Sequence, residues 1–351
     1  MHLHIDGIIF SLQPHGGISV YFRELLSRFT SQHQATLTLE QPLKRPLDTA
    51  RMVGIRHVER PARVHERLRR ARPIGAENST VFHSTYYRRP ERRGQPTVVT
   101  VHDFVYQRHV RGPRGWMRQW LMNSSITQAQ HIICISEATR QDLLEFIPVR
   151  ADQQVSVIHN GVSTLFRPLY SSRAGASLPT GRAFMLFVGQ RAGYKNFRLA
   201  LQALESLPDL ELHCVGSGDL QPEEFAGISE ATRARVRYLG FVDDEQLNAL
   251  YNDAYCLLYP SAYEGFGIPV LEAMKAGCPV VSVDCKAVVE VGGPALLVSQ
   301  DASDPLALVD AIRQLESSSR RTELQDMGIE RSSQFSWDRC FEQTLDVYRT
   351  F

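Results

Sequence analysis

The sequence predicts an α/β protein made of two doubly wound domains of parallel strands. Three observations carry that expectation. Short apolar runs alternate with stretches of helical periodicity along most of the chain, the pattern of strand–helix–strand units. Several of those runs end at glycine-bearing turns that lead into a helix, which is where open α/β sheets bind ligands. At 351 residues the chain is longer than one ordinary core and suits two domains of roughly 150 to 180 residues.

Composition narrows the class. With 43% hydrophobic and 22% charged residues, neither disorder nor a membrane-embedded chain is expected. A formal net charge of +1 names no partner, so local charge matters more. From Lys44 to Arg72 ten basic residues stand against three acidic ones. Further clusters are Arg88, Arg89, Arg92 and Arg93, then Arg108, Arg111, Arg114 and Arg118. Residues 56–72 read as a polar-faced helix with Val58, Val64 and Leu68 on its apolar side. No aromatic residues are interleaved as in a nucleic-acid surface, so nucleic acid is not an expected partner. An anionic membrane surface or a diphosphate-linked acceptor fits better, at about 1 kcal/mol per arginine near such a surface. Six cysteines show no C-x-x-C pair and no metal-ligand spacing. Cys134, Cys214 and Cys256 sit in apolar runs and read as core residues of a reduced protein. The N-terminus shows no signal-peptide pattern and no run approaches about 18 apolar residues, so a cytoplasmic protein is expected.

In chain order, residues 3–12 read as a first strand. Gly16 and Gly17 form a turn into a helix over 18–29 carrying Val20, Phe22, Leu25 and Leu26. That turn is either structural or a place where a phosphate can approach the backbone. Residues 37–39, 81–83 and 97–102 are short strands, the last ending at His102 and Asp103. Residues 130–136 form another strand, and Ser136 is placed to cap the helix that follows. Residues 155–162 close this half. Residues 168–179, small and polar between two prolines, read as a linker. The expected divisions are 1–168, a linker over 169–180, a second domain over 181–335 and a final helix over 336–351.

The second half opens with a strand ending at Gly189 and a basic loop containing Arg191 and Lys195. Both cations could clamp a diphosphate and lower the charge on a leaving group. Residues 211–219 form a strand leading to Gly216. Residues 236–239 form another, followed by the turn at Phe241 and Val242 and a helix capped by Asp243 or Asp244. The densest stretch is 257–283. An apolar strand closed by Pro260 runs into Glu264, Gly265, Phe266, Gly267 and Ile268, then a helix with Pro269 in its first turn and Gly277 at its end. Such a loop offers backbone N–H groups and a positive helix end to an anion. Glu264 and Glu272, eight residues apart, can face one ligand and accept hydrogen bonds from its hydroxyls.

This stretch resembles the E-x7-E signature of retaining glycosyltransferases of family 4 (glycosyltransferase group 1), and the resemblance extends over most of the chain. It implies the GT-B fold, two Rossmann-like domains facing across a cleft, and sugar transfer from a nucleotide-diphosphate donor. By resemblance, Gly16 and Gly17 face the donor's phosphates and the strand-end His102 approaches the transferred sugar. Gly189, Arg191 and Lys195 belong to the diphosphate loop, although Gln190 rather than a basic residue follows Gly189. Gly216, Phe241 and Val242 lie toward the nucleoside, Glu264 to Ile268 toward the sugar and phosphates, and Glu272 toward the ribose. No D-x-D motif of the metal-dependent class stands in these segments, so no metal and no resident cofactor is expected. The run from Val188 to Phe197 and the His102–Tyr106 segment are similar to bacterial mannosyl- and rhamnosyltransferases of polysaccharide assembly. That implies a GDP-sugar donor, with a UDP-sugar as the alternative, and a lipid-linked or oligosaccharide acceptor at the cytoplasmic face of the inner membrane. A nucleotide-sugar epimerase, a pyridoxal-dependent phosphorylase or an inactive binding protein are the non-transferase alternatives.

Overall fold

The computed structural model describes residues 2–13, 16–41, 43, 47, 49–72, 80–110, 112–169, 182–191, 193–216 and 218–351. The chain divides into two compact units, Met1–Gly161 with Trp337–Phe351, and Val162–Ser336. The expected linker lies outside the described residues except for Leu169.

In the first unit the elements run β1 (His2–Asp6), α1 (Ile8–Leu12), α2 (Gly17–Leu26), β2 (Ala35–Gln41), β3 (Ile55–Pro61), β4 (Thr80–Ser84), β5 (Thr97–Val101), α3 (Val105–Arg108), α4 (Pro113–Gln128), β6 (His131–Cys134), α5 (Glu137–Phe146) and β7 (Gln154–Val157). The strands form one parallel sheet in the order β3-β2-β1-β4-β5-β6-β7. Its strands β4, β5 and β6 are buried along their whole length, as parallel strands covered on both faces must be.

The second unit runs β8 (Ala183–Val188), α6 (Phe197–Glu205), β9 (Leu210–Val215), α7 (Glu230–Arg233), β10 (Val236–Gly240), α8 (Asp244–Asp253), β11 (Cys256–Tyr259), α9 (Ile268–Ala276), β12 (Val280–Ser282), α10 (Lys286–Gly292), β13 (Leu296–Val298), α11 (Pro305–Arg313) and α12 (Ser318–Ser333). Its parallel sheet is ordered β10-β9-β8-β11-β12-β13. The last helix, α13 (Trp337–Arg349), belongs to the first unit. It buries Trp337, Phe341, Leu345 and Tyr348, sets Phe341 edge-on to Phe29 at 5.1 Å and pairs Asp338 with Arg28 at 2.6 Å.

Two expectations need correction. The first strand stops at Asp6 and residues 8–12 are helical. Gly7 packs so closely that a Cβ there would lie 2.6 Å from Leu39 and 2.7 Å from the Thr38 carbonyl, so the chain turns at it. Residues 56–72 are not a helix. They hold the edge strand β3 and one 3-10 turn at Glu66–Leu68. The reason is a buried charge network that the local pattern does not show. Arg88, buried, donates to Glu40 at 2.9 Å and Glu66 at 2.7 Å and lies 3.6 Å from Asp6. Arg63 donates to the same Glu66 at 2.8 Å and to Glu91 at 2.9 Å. All six cysteines are buried thiols.

Candidate active site

In each sheet the strand order reverses once, between β1 and β4 in the first and between β8 and β11 in the second. Loops leaving the carboxyl ends of two such strands diverge to opposite faces and leave a crevice between them. In the second unit, the loop after β8 carries Lys195 and the loop after β11 carries Glu264. They meet: Lys195 Nζ donates to Glu264 Oε1 at 2.5 Å, and the two side chains are only 14% and 12% exposed. The ammonium also lies 5.6 Å from the Tyr194 ring centre and 5.4 Å from that of Tyr259. Two aromatic faces and one carboxylate therefore hold the cation in place. Asn196, left-handed at φ 52, donates from Nδ2 to the Pro260 carbonyl at 3.0 Å. This second tie joins the same two loops.

Beyond Glu264 the chain passes Gly265 and buried Phe266, which packs edge-on against Phe335 at 5.9 Å. Gly267, at φ 101, turns the backbone into α9, with Ile268 and Pro269 in its first turn. Gly277, at φ 72, ends that helix in the left-handed cap position glycine favours. Glu272 points from α9 toward Tyr251 of α8, whose hydroxyl donates to Glu272 Oε2 at 3.1 Å. Burial pushes the Glu272 carboxyl up to about 7, against the opposing effect of the Tyr251 hydrogen bond. The strand ends beside this loop are bare. β8, β9 and β10 finish at or run into Gly189, Gly216 and Gly240, with φ of 124, 83 and 73. Gly189 N–H bonds to Val215 O at 3.0 Å and Gly216 N–H to Gly240 O at 2.9 Å. At these three positions the backbone itself, without a Cβ, forms the surface.

Residues 15–165 match the family model described as Glycosyltransferase Family 4, and residues 171–334 the one described as Glycosyl transferases group 1. Together the matches leave outside only the ends of the chain and residues 166–170. The chain belongs to this glycosyltransferase family. Among its relatives, the O-antigen chain mannosyltransferase B of Escherichia coli is 29% identical over 284 residues, covering 77% of this chain and 74% of that protein. Among solved structures, a sucrose-phosphate synthase from Thermosynechococcus elongatus aligns with a TM-score of 0.77 at 19% identity, over 100% of this chain and 98% of its own. Anabaena Alr3699/HepE in complex with UDP and glucose aligns with a TM-score of 0.75 at 16% identity over 100% of both chains. These two likenesses are of fold, and the glycosyltransferase has the GT-B fold.

The remaining expected site residues fall as follows. Arg191 is bonded away from the Lys195–Glu264 pair. Its Nε donates to Glu224 at 2.7 Å and its Nη2 to the Gly218 and Asp219 carbonyls at 2.7 and 2.9 Å. The guanidinium lies between Phe197 and Tyr238, 5.5 and 5.6 Å from their centres. Its Nη1 is buried and has no partner among the described residues. Phe241 is 74% exposed and Val242 half-buried.

In the first unit, Gly16 precedes α2 at φ 145 and Gly17 is its exposed first residue. His102, just past β5, is buried with its ring edge-on to Tyr21 at 5.1 Å. Burial holds its imidazole down to about 3, so it is neutral at physiological pH, and its Nε2 has no partner among the described residues. His83 is structural. It bonds Tyr348 Oη at 2.5 Å and Thr100 Oγ1 at 3.0 Å. Tyr194, Tyr251, Tyr259 and Glu224 were not foreseeable as site residues. Their partners lie far away in sequence, and no short motif carries them.

Proposed function

We propose that this glycosyltransferase is a retaining, metal-independent enzyme that moves mannose, or a related deoxyhexose such as rhamnose, from a GDP-sugar to a hydroxyl of a lipid-linked or growing polysaccharide acceptor. The observation that carries the reading is the Lys195–Glu264 pair across the switch point of the second sheet, beside the positive end of α9. An incoming diphosphate competes for Lys195 and for that helix end. Glu264, released from the cation, then accepts hydrogen bonds from the sugar, and Glu272 accepts them from the ribose. Arg191 holds the 218–219 loop and offers Nη1 to a phosphate.

In the transfer step the bond from the anomeric carbon to the phosphate oxygen breaks. The acceptor oxygen bonds to the same face of that carbon, and its proton passes to the departing phosphate. Lys195 stabilises the charge that grows on the leaving oxygen. In the first unit, His102 is uncharged and its Nε2 has no partner among the described residues, which suits it to bond a ligand hydroxyl. Mannose and polysaccharide assembly are supported by the Escherichia coli mannosyltransferase relative. A UDP-sugar is the second reading, favoured by the UDP held in the Anabaena structure. A lipid-linked acceptor would bring the enzyme to the anionic cytoplasmic face of the inner membrane.

The test is thermal stabilisation by GDP, UDP, ADP and their sugars, for the wild type, Lys195→Ala and Glu272→Ala. A ligand at a hundred times its Kd stabilises by about 2.7 kcal/mol. A melting shift with GDP that both substitutions abolish supports the assignment, a shift with UDP alone transfers it to the second reading, and no shift with any nucleotide overturns it.

A further inference from the structure

The second unit has a cleft at the end of its sheet away from the Lys195–Glu264 pair. It opens where β9 and β11 begin, between the turn at residues 206–210, Tyr255 and the last turn of α11. Those two strands flank β8 in the sheet. The six residues of β8 put about 20 Å between the cleft and the loops that leave the carboxyl ends. Its volume is about 290 Å³, the size of a small-ligand site. The floor is apolar, with Leu207, Leu210 and Ile312 buried as part of the unit's core. The rim is charged. Asp209 from the turn before β9 and Glu316 from the chain past α11 line the cleft together with Arg313. Neither carboxylate has an ion-pair or hydrogen-bond partner among the described residues, and Arg313 donates from Nη2 to the Ser206 carbonyl at 3.4 Å. Opposite charges thus share one cleft without closing it by pairing. Tyr255 is half-buried on its wall, with the Arg321 guanidinium 4.8 Å from the ring centre. Burial pushes the Tyr255 phenol up to about 12, so its hydroxyl keeps its proton and can donate.

We propose that this cleft binds a neutral saccharide, a stretch of the growing polysaccharide other than the sugar being transferred. A sugar ring asks for acceptors for its hydroxyl protons, donors for its oxygens and an apolar surface for its C–H face. Asp209 and Glu316 supply the first, Arg313 and the Tyr255 hydroxyl the second, and Leu207, Ile312 and the Tyr255 ring the third. Charge selects a neutral ligand. Two carboxylates stand against Arg313 and Arg321, so a phosphate or nucleotide would meet Asp209 and Glu316 as it entered. A wholly apolar ligand would strip water from all of these groups and give nothing back. Held here, a polymer stays on the enzyme between transfers, and its free end returns at a raised effective concentration. The chemistry of the cleft stands on these residues alone, and its use rests on the polysaccharide-acceptor reading.

The test is saturation-transfer NMR of the full chain with α-mannotriose, maltotriose and mannose 6-phosphate, each titrated to a Kd. We expect at least one of the neutral trisaccharides to bind. Asp209→Asn/Glu316→Gln should weaken it about tenfold, because hydrogen bonds to charged acceptors are lost. Tyr255→Leu should weaken it as well, and neither variant should alter the melting shift produced by nucleotide. A wild type that binds neither trisaccharide overturns the proposal. So does a double variant that binds as tightly as wild type, because the sugar then sits elsewhere on the enzyme. Mannose 6-phosphate binding that Arg313→Gln abolishes and Asp209→Asn/Glu316→Gln strengthens would give the cleft to an anion instead. Nucleotide stabilisation of the wild type reads the transferase assignment separately, so the two can fail independently.

Discussion

Glu272→Gln should separate what the carboxylate costs the folded protein from what it gives the ligand. Burial raises the Glu272 carboxyl from 4.5 to about 7. A group whose folded value is raised holds its proton in the folded state while the unfolded chain has lost it. Stability therefore falls as pH rises from about 4.5 to about 7, and the loss is constant above that. At 1.36 kcal/mol per unit the full cost approaches about 3 kcal/mol, and residual exposure brings the expected value to about 1 to 3. Glutamine keeps an acceptor for Tyr251 and removes the charge. The variant should match the wild type near pH 4.5 and melt higher at pH 8, by about 2 to 4 °C for each kcal/mol.

Nucleotide affinity should move the opposite way. If ribose hydroxyls bind the ionised form, wild-type affinity climbs by up to about tenfold per pH unit below 7 and then levels, while the variant binds weakly at every pH. Differential scanning fluorimetry and calorimetric titration from pH 4.5 to 8.5 read both effects. Parallel melting curves for the two proteins across that range would refute the reasoning, because the carboxyl would then be titrating as in water.

Two further predictions concern the first unit. Arg88→Met strips the cation from Asp6, Glu40 and Glu66 and should cost about 3 to 5 kcal/mol near neutral pH in denaturant titrations. Burial already raises Asp6 and Glu40, so the loss should shrink as acid protonates them; a loss that grows in acid would contradict this account. Ser136→Ala removes the hydroxyl that accepts from Thr139 N–H at 2.9 Å at the start of α5 and should cost about 1 kcal/mol, visible as a lower denaturation midpoint with an unchanged slope.

The strand framework of both units was legible because parallel strands covered on both faces read as uninterrupted apolar runs, and the glycines after β8 and β9 marked their carboxyl ends. The α9 loop was legible for the same reason, with Pro269 and Gly277 bounding the helix. Residues 56–72 misled because a run of arginines has no period of its own. What sets their conformation is Glu66 bonding Arg63 and Arg88, the latter 22 residues away. Arg191 shows the limit of loop chemistry as a guide. Its place in a basic loop suggested a free cation, whereas Glu224, 33 residues on, takes one edge of its guanidinium. α4 was not assigned, because two tryptophans stand among the polar residues of its outer face and blur the single apolar stripe that marks an amphipathic helix.

The return of α13 to the first unit has a consequence for synthesis. Trp337, Phe341, Leu345 and Tyr348 fill that unit's interior, yet they are translated after every strand of the second. A ribosome thus releases the second unit's segments in one uninterrupted block, complete in themselves, while the half-built first unit waits with an open apolar groove and with His83 lacking its Tyr348 partner. The later-made half can finish folding before the earlier-made one. A premature stop between Ser336 and Tyr348 would leave the first unit, not the second, short of its core.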